Sequence, residues 1–216
     1  LELNRGEIVH SRSLILAMGV RRRRLNISGE SEFTGKGILT SGAKEKHSVA
    51  GKHVVIVGGG DAALENAHIL SEFAERVYVV HRRSEFRARP EFVSEARHNR
   101  LIALIYDSVL SSIDGDASVR SVTIQNLKTH AQRVIPADAV LIRIGVQPNS
   151  ELVQGQLELD RSGYVKTDHL CQTSQANVFA VGDIANPTSP TIATAAGNGA
   201  TAIKAAAPLL NNSGDL

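Results

Sequence analysis

The chain has 216 residues, of which 42% are apolar and 21% charged, a composition typical of globular proteins with room for one large or two small cores. Its 24 Lys and Arg residues nearly balance 22 Asp and Glu residues, and aromatic residues make up only 4%. The charge balance argues neither for nor against a nucleic-acid partner, but the scarcity of rings on which bases could stack argues against one.

The cysteines, the histidines and the lengths of the apolar runs further limit the class of protein. Cys171 is the only cysteine, which excludes an intrachain disulfide and a CxxC pair. The eight histidines do not have the spacing of metal ligands, so we expect no bound metal. No apolar run approaches the roughly 20 residues that cross a bilayer, so we expect no membrane partner and a cytoplasmic location. Because the chain starts at Leu1 rather than Met, we expect that an amino-terminal part precedes it.

The first fifty residues combine one apolar segment with polar ones. Residues 13–19 predict a buried strand that ends at a glycine. The four arginines at residues 21–24 could indicate RNA binding, but no aromatic residues are interleaved with them, so an exposed connector is favoured. Residues 33–50 are rich in Gly, Lys and Ser and predict a second connector.

A strand, a glycine turn, a helix and another strand follow within about thirty residues. Residues 53–57 are a β-branched run too short for a helix, which predicts a buried parallel strand. Residues 61–73 carry apolar side chains at helical spacing, and residues 77–80 predict the next buried strand. This order predicts a βαβ unit, whose crossover is right-handed in nearly all known cases.

The remaining elements extend an α/β fold with a parallel sheet. They are a helix at 90–99, strands at 101–106 and 139–144, a β-meander at 109–113, 119–126 and 132–136, a strand at 178–181 and a helix at 192–209. The change of pattern after residue 145 predicts that a Rossmann-like domain is inserted between two pieces of a second domain. The predicted pieces are residues 1–36, 37–145 and 146–216.

Three glycines between the first strand and the helix of this βαβ unit fit the pattern G-x-G-x-x-A. Gly58 allows a tight turn, Gly60 lets the backbone approach a pyrophosphate, and Ala63 lets the helix pack close to the sheet. A plain glycine turn is the alternative, but the position between strand and helix favours a dinucleotide site. The helix amino terminus adds free N–H groups and a positive dipole end. The predicted pyrophosphate contacts are Gly58, Gly59, Gly60, Asp61 and Ala62.

The end of the second strand indicates which dinucleotide binds. An NAD site has a carboxylate there for the ribose 2′-hydroxyl. Here the strand is followed by His81, Arg82 and Arg83, and then by Arg87. Guanidinium groups suit a phosphate, which a carboxylate would repel. A solvated basic loop is the alternative, but its position favours NADPH, with these four residues near the 2′-phosphate.

Together these motifs resemble the low-molecular-weight thioredoxin reductase family of pyridine nucleotide-disulfide oxidoreductases, over nearly the whole chain. The matching segments are 51–52, 54–60, 63–65, 81–83, 86–88, 144–145, 148–149, 155–157, 163–164, 179–183, 195–197 and residue 199. The resemblance implies a homodimeric two-domain flavoprotein in which NADPH reduces FAD, and it implies that the second domain is a Rossmann-like FAD domain. It also implies that Ile144 and Gly145 lie at NADPH. The implied FAD contacts are Gly182, Asp183, Thr191 and Ile192.

Three departures from the family pattern bear on activity. The family's CxxC falls on a segment that starts at Ser41 and ends at Lys44, so electron relay through a dithiol is excluded. Its first FAD glycine motif would precede this chain. Its Arg-Gln pair before the last helix falls on Pro190 and Thr191, and a threonine that it has at a strand end falls on Met18.

Two hypotheses about function follow. In the first, the intact protein is an NADPH-dependent FAD oxidoreductase that passes electrons from the flavin to an unknown acceptor, as ferredoxin- and flavodoxin-NADP reductases do. This chain, mainly the NADPH-binding part, would then bind FAD weakly or not at all and turn over little. In the second, a homologue that has lost flavin chemistry binds NADPH as a sensor or partner module, which the departures at Met18, Pro190 and Thr191 would explain.

Overall fold

A computed structural model of the chain describes residues 6–211. Leu1, before which an amino-terminal part is expected, lies outside this range. The strands within it are β1 (Leu14–Leu16), β2 (Val20–Arg22), β3 (Ile38–Leu39), β4 (His53–Gly58), β5 (Arg76–Val80), β6 (Ile102–Ile105), β7 (Ser108–Gly115), β8 (Val119–Asn126), β9 (Gln132–Pro136), β10 (Ala139–Arg143), β11 (Val146–Pro148) and β12 (Val178–Ala180). The α-helices are α1 (Gly42–Glu45), α2 (Asp61–Ser71), α3 (Pro90–His98) and α4 (Ile192–Asn211).

The chain divides into two compact units. One consists of Leu1–Arg21 with Val146–Leu216, and the other is Arg22–Gly145. The second unit includes segments before residue 37 because Phe33 is buried in its core. The compact units do not show which cofactor each part binds. The functional division into residues 1–36, 37–145 and 146–216 therefore stays a prediction.

The unit Arg22–Gly145 is built on a five-stranded parallel sheet with the order β3-β10-β4-β5-β6. Strand β4 lies at its centre, where Val55 pairs with Val140 of β10 and with Tyr78 of β5. Val54 and Ile56 pack with α2, whereas Val55 and Val57 pack toward the meander of β7, β8 and β9. Strand β4 is buried because both faces of the sheet are covered. The predicted α/β class and βαβ unit are confirmed.

The strand order creates a crevice at the carboxyl edge of this sheet. From β4 the chain passes through α2 to β5 and through α3 to β6, whereas β10 lies on the other side of β4. Open parallel sheets bind ligands where the connections of neighbouring strands leave in opposite directions. The carboxyl end of β4, next to β10, is therefore the place where a ligand is expected.

One expectation for the first fifty residues is wrong. Residues 33–50 are not only a connector, because β3 pairs with β10 and Ser41 caps α1. Elements as short as β3 and α1 carry too little periodicity to be recognised. The strand predicted within residues 13–19 is confirmed as β1, although it has only three residues and leaves Ile15 38% exposed. The run of four arginines is exposed, as expected, although it begins within β2.

The other unit contains short strands and the long helix α4. Strand β1 pairs in parallel with β12, and β2 pairs with β11. Phe179 and Cys171 pack with Ala202 of α4. Burial, followed by the charge of Asp168, raises the pKa of the Cys171 thiol, so the residue is an inert part of this core.

Within residues 6–211, no helix is long and apolar enough to cross a membrane. Helix α4, although 20 residues long, is rich in Ala and Gly rather than in large apolar residues. The same part of the chain contains no group of three or more His, Cys, Asp or Glu side chains that could hold a metal ion.

Candidate dinucleotide site

Strand β4 ends at Gly58, where the packing of the chain itself requires glycine. The φ angle of +155° is one that L side chains rarely adopt. A Cβ at this position would lie 2.3 Å from the carbonyl oxygen of Arg143 and 3.0 Å from the Cβ of Ala63. Gly58 therefore allows β4, β10 and α2 to approach closely.

Gly59 is covered by the ring of His81. A Cβ at Gly59 would lie 2.2 Å from the ring carbon Cε1. The ring is held in place because it stacks on Phe86, with centroids 5.1 Å apart, and because Nε2 lies 3.0 Å from the carbonyl oxygen of Glu85. His81 is 7% exposed and has a packing role against the glycine turn, while its contact with a phosphate stays a prediction.

Gly60 differs because nothing in the described chain requires a glycine there. Its backbone is extended, with φ −101° and ψ −179°, which any residue can adopt. No atom of the described residues lies within 4 Å of a Cβ built at this position. The missing side chain leaves open space at the start of α2, as the close approach of a pyrophosphate requires.

Helix α2 begins with backbone amides that are not used within the described chain. The amide of Ala63 donates to the carbonyl oxygen of Gly60 at 3.0 Å. No described residue accepts a hydrogen bond from the amides of Asp61 or Ala62. These amides and the helix dipole favour an anion. The carboxylate of Asp61, in contrast, is bound to Arg89, with O···N distances of 2.7 and 3.0 Å.

Residues 81–89, which we call the arginine loop, follow β5 and lie against the glycine turn. The backbone amide of Arg87 donates to the carbonyl oxygen of Gly59 at 2.8 Å. The side chains of Arg82, Arg83 and Arg87 are exposed, and no described residue forms a hydrogen bond or ion pair with their guanidinium groups. The loop therefore presents three unpaired positive charges next to the glycine turn.

The protonation of His81 reports on these charges. Burial is the main cause that lowers the pKa of His81 below 6.5. The bond with Glu85 opposes this effect, and the charges of Arg83, Arg87 and Arg82 add to it. All three guanidinium charges therefore lower the pKa of the same ring.

We expect an NMR titration of the His81 ring protons to give a pKa below 6.5. Replacing Arg83 by Gln should raise this pKa, because one repelling charge is lost, while burial keeps it below 6.5. Since the folded pKa lies below the unfolded one, the unfolded chain binds this proton more strongly. His81 therefore lowers the free energy of unfolding as the pH falls through 6.5 toward the folded pKa. A measured pKa at or above 6.5 would contradict this environment.

Sequence reasoning missed a further arginine, which lies on the other side of the glycine turn. Arg143 ends β10 opposite Gly58, and its guanidinium donates to the carbonyl oxygen of Thr40 at 3.2 Å and to that of Ile142 at 3.0 Å. Burial, followed by the charge of Arg22, lowers the pKa of Arg143 to about 10, so the side chain stays charged at neutral pH. Only the register of β10 reveals this position.

The segment at the dithiol positions is a helix cap without redox chemistry. The Ser41 hydroxyl accepts from the amide of Lys44 at 3.4 Å and caps α1. Glu45 accepts from the amides of Ser41 and Thr40 at 2.7 and 2.8 Å. Burial raises the pKa of Glu45, but these hydrogen bonds and the charge of Arg143 outweigh it, so the pKa lies below its usual value.

Ile144 and Gly145 continue the chain beyond β10. Ile144 is half-buried against the core under the meander. Gly145 is exposed with a φ of +92°, and its carbonyl oxygen accepts from the amide of Arg23 at 3.0 Å. These contacts explain the glycine by backbone conformation, and an NADPH contact of either residue stays a prediction.

The residues expected at FAD lie in the other unit. Gly182 has a φ of +71°, and a Cβ there would lie 3.3 Å from a side chain of α4. The carboxylate of Asp183 is half-buried and accepts no hydrogen bond from a described residue. The hydroxyl of Thr191 accepts from the amide of Thr194 at 3.2 Å and so caps α4, and Ile192 is 91% exposed.

A parallel sheet with a glycine turn at its switch point, followed by a helix with free amino-terminal amides, defines a nucleotide-binding protein with a Rossmann-like fold. The sequence also matches the profile of the family "Pyridine nucleotide-disulphide oxidoreductase" over residues 1–200. The chain therefore belongs to the pyridine nucleotide-disulphide oxidoreductases, as a thioredoxin reductase-like member, which confirms the resemblance seen in its motifs.

The most similar relatives include thioredoxin reductases from Mycolicibacterium smegmatis and Treponema pallidum. The first is 39% identical over 91% of this chain and 64% of the relative, and the second 36% identical over 92% and 64%. The chain thus spans slightly less than two thirds of the length of these relatives. Among solved structures, Lactococcus lactis thioredoxin reductase in the FR conformation gives a TM-score of 0.79 at 32% identity, over 92% of this chain and 66% of that one. Giardia duodenalis thioredoxin reductase gives 0.71 at 38% identity, over 96% and 68%.

Proposed function

We propose that the unit Arg22–Gly145 binds NADPH for an NADPH-dependent flavoprotein oxidoreductase. The observation that carries the proposal is the open space at Gly60 beside the three unpaired guanidinium groups of the arginine loop. A glycine without a packing reason fits a pyrophosphate, and a positive cluster one strand away fits the 2′-phosphate. An NAD site would have a carboxylate in place of that cluster.

The residues present fit two groups of NADPH, its pyrophosphate and its 2′-phosphate. The amides of Asp61 and Ala62 would donate to the pyrophosphate, and Gly60 would give it room. Arg82, Arg83 and Arg87 would bind the 2′-phosphate. When bound, NADPH supplies a hydride at its nicotinamide ring. The chain's own residues bind and orient the cofactor.

For FAD the fit rests on Asp183. Its carboxylate has an unused acceptor capacity and follows the turn at Gly182, so it would accept a hydrogen bond from a hydroxyl group of the flavin's chain. Since Ser41 and Lys44 stand at the dithiol positions, electrons would leave without a thiol relay. The acceptor would be reached from the flavin, as in ferredoxin- and flavodoxin-NADP reductases. A homodimer and a cytoplasmic location belong to this proposal.

One observation favours a second function, a non-catalytic NADPH-binding module. The Thr191 hydroxyl, which stands where the family has a flavin-contacting side chain, is used to cap α4. An NADPH sensor without flavin would need the unit Arg22–Gly145 and nothing from α4.

Calorimetry and absorption spectroscopy test both functions. We expect NADPH to bind to this chain about 1000-fold more tightly than NADH, because three charge-assisted contacts of about 1.5 kcal/mol each are added. We also expect NADPH to bleach the visible flavin band of the FAD-loaded protein that contains this chain. A colourless protein that still binds NADPH would favour the non-catalytic module. No heat with either dinucleotide would contradict both functions.

A further inference from the structure

Asp61 uses both carboxylate oxygens on one residue of the arginine loop. Its Oδ1 accepts from the backbone amide of Arg89 at 2.7 Å, and its Oδ2 accepts from the Arg89 Nε at 3.0 Å. The guanidinium of Arg89 also lies over the ring of Phe92, 4.5 Å from its centroid. Both side chains of the ion pair are largely exposed, so the pair adds little to the stability of the fold. Its geometry instead ties the first turn of α2 to the end of the arginine loop.

Further backbone hydrogen bonds attach the same loop. At its start, the backbone amide of His81 donates to the carbonyl oxygen of Ile105 at 2.8 Å. Near its middle, the backbone amide of Arg87 donates to the carbonyl oxygen of Gly59 at 2.8 Å. The guanidinium groups of Arg82, Arg83 and Arg87 remain unpaired, so the loop has a bound backbone and free cationic side chains. Such a loop is arranged for an anion before the anion arrives, which reduces the ordering cost of binding.

A carboxylate at the start of a phosphate-binding helix repels the pyrophosphate unless it is neutralised. Asp61 stands at this point, yet its charge is matched by Arg89. We propose that Asp61 is a positioning residue for NADPH selectivity: through Arg89 it holds the arginine loop in the conformation that receives the 2′-phosphate. The carboxylate does not itself contact the cofactor, whereas the backbone amide of Asp61 keeps its proposed contact with the pyrophosphate. The inference rests on the proposed function and gives the side chain of Asp61 a role in addition to that backbone contact.

The test compares Asp61→Ala with a matched control, Asp116→Ala. Asp116 forms an exposed pair with Arg120 in the meander, with an O···N distance of 2.9 Å, so the same charge and the same kind of pair are lost away from the loop. We expect Asp61→Ala to raise the Kd of NADPH about tenfold, as the loop loses its arrangement, and to leave the Kd of NADH unchanged or lower. Asp116→Ala should change neither Kd. If the carboxylate acted only by repelling the pyrophosphate, its loss would strengthen the binding of both dinucleotides. For NADPH this is the opposite of the weaker binding that we expect.

Two additional measurements separate positioning from direct binding. Arg89→Ala should also weaken the binding of NADPH, although it keeps the bond from the Arg89 backbone amide to the Asp61 Oδ1. The double variant should bind NADPH no more weakly than the weaker single variant, because both changes act on the same contact. The amides of Arg87 and Arg89 should lose protection from hydrogen exchange in Asp61→Ala and keep it in Asp116→Ala.

Several results would overturn the proposal. These are an unchanged NADPH Kd in Asp61→Ala, an equal loss for NADPH and NADH, or a loss in Arg89→Ala alone, which would make Arg89 itself the phosphate ligand. If the unaltered chain bound neither dinucleotide, the proposed function and the selectivity role would both fall. Amide exchange would in that case still decide whether Asp61 holds the loop.

Discussion

Replacing both Arg82 and Arg83 by Gln raises the Kd of NADPH about 100-fold and changes that of NADH by no more than about threefold. The two cofactors differ only in the 2′-phosphate, so a charge lost at the arginine loop affects one and spares the other. Charge-assisted hydrogen bonds to a phosphate contribute about 1.5 kcal/mol or more each. Both guanidinium groups are exposed and unpaired in the described chain, so their removal costs no internal contact.

The matched control for this variant removes two arginines elsewhere in the same unit. Arg97 of α3 and Arg133 of β9 are likewise exposed, and no described residue pairs with their guanidinium groups. The double change Arg97→Gln and Arg133→Gln lowers the net charge equally and should leave both Kd values unchanged. Calorimetry at low and high salt completes the comparison. Salt screens the attraction between the guanidinium groups and the 2′-phosphate, so the difference in NADPH Kd between the two variants should shrink as the salt concentration rises. Equal losses for NADPH and NADH would end the assignment of the arginine loop to the 2′-phosphate.

Replacing Gly60 by Ala weakens both dinucleotides about 30-fold and leaves the fold as stable as before. The added Cβ meets no described atom within 4 Å, and the extended backbone tolerates it. The methyl group would occupy the space through which a pyrophosphate approaches the amides of α2, and that group is common to NADPH and NADH. Isothermal calorimetry measures the two Kd values, and thermal unfolding measures stability.

The control for this prediction is Gly58→Ala, two residues earlier in the same turn. Its Cβ would lie 2.3 Å from the carbonyl oxygen of Arg143 at a φ of +155°, so we expect a loss of about 3 kcal/mol in the free energy of unfolding and roughly 6–12 °C in Tm. Gly60→Ala should leave Tm within a few degrees of the original. Unchanged binding in Gly60→Ala would show that no ligand group passes at this position.

Much of the fold could be predicted because local patterns of the sequence determine it. The β-branched run from Val54 to Val57 is too short for a helix, and its burial on both faces follows from the covered sheet. The order of strand, glycines and apolar helix allows few arrangements other than a βαβ unit. The elements that prediction missed, such as β3 and α1, are too short to show a period.

The site was only partly predictable for a different reason. The glycines and the arginine loop lie next to predicted elements, so a motif indicates their place. Arg143 lies 85 residues after Gly58 in the sequence, and only the pairing of β10 with β4 brings the two together. Arg89 and Asp61 are 28 residues apart, and their contact depends on the path of the loop. No local pattern encodes either approach.

The amino-acid sequence by itself determined the α/β class, the glycine turn, the absence of a dithiol and the choice of basic residues after the second strand, because each depends on residue type and near neighbours. The tertiary structure alone distinguished the three glycines. Gly58 is required by the carbonyl of Arg143 and Gly59 by the ring of His81, while Gly60 is left without any reason inside the described chain. The physical cause of this division is distance along the chain: propensity and periodicity act over a few residues, whereas a close approach is created only when strands and loops far apart in sequence pack together.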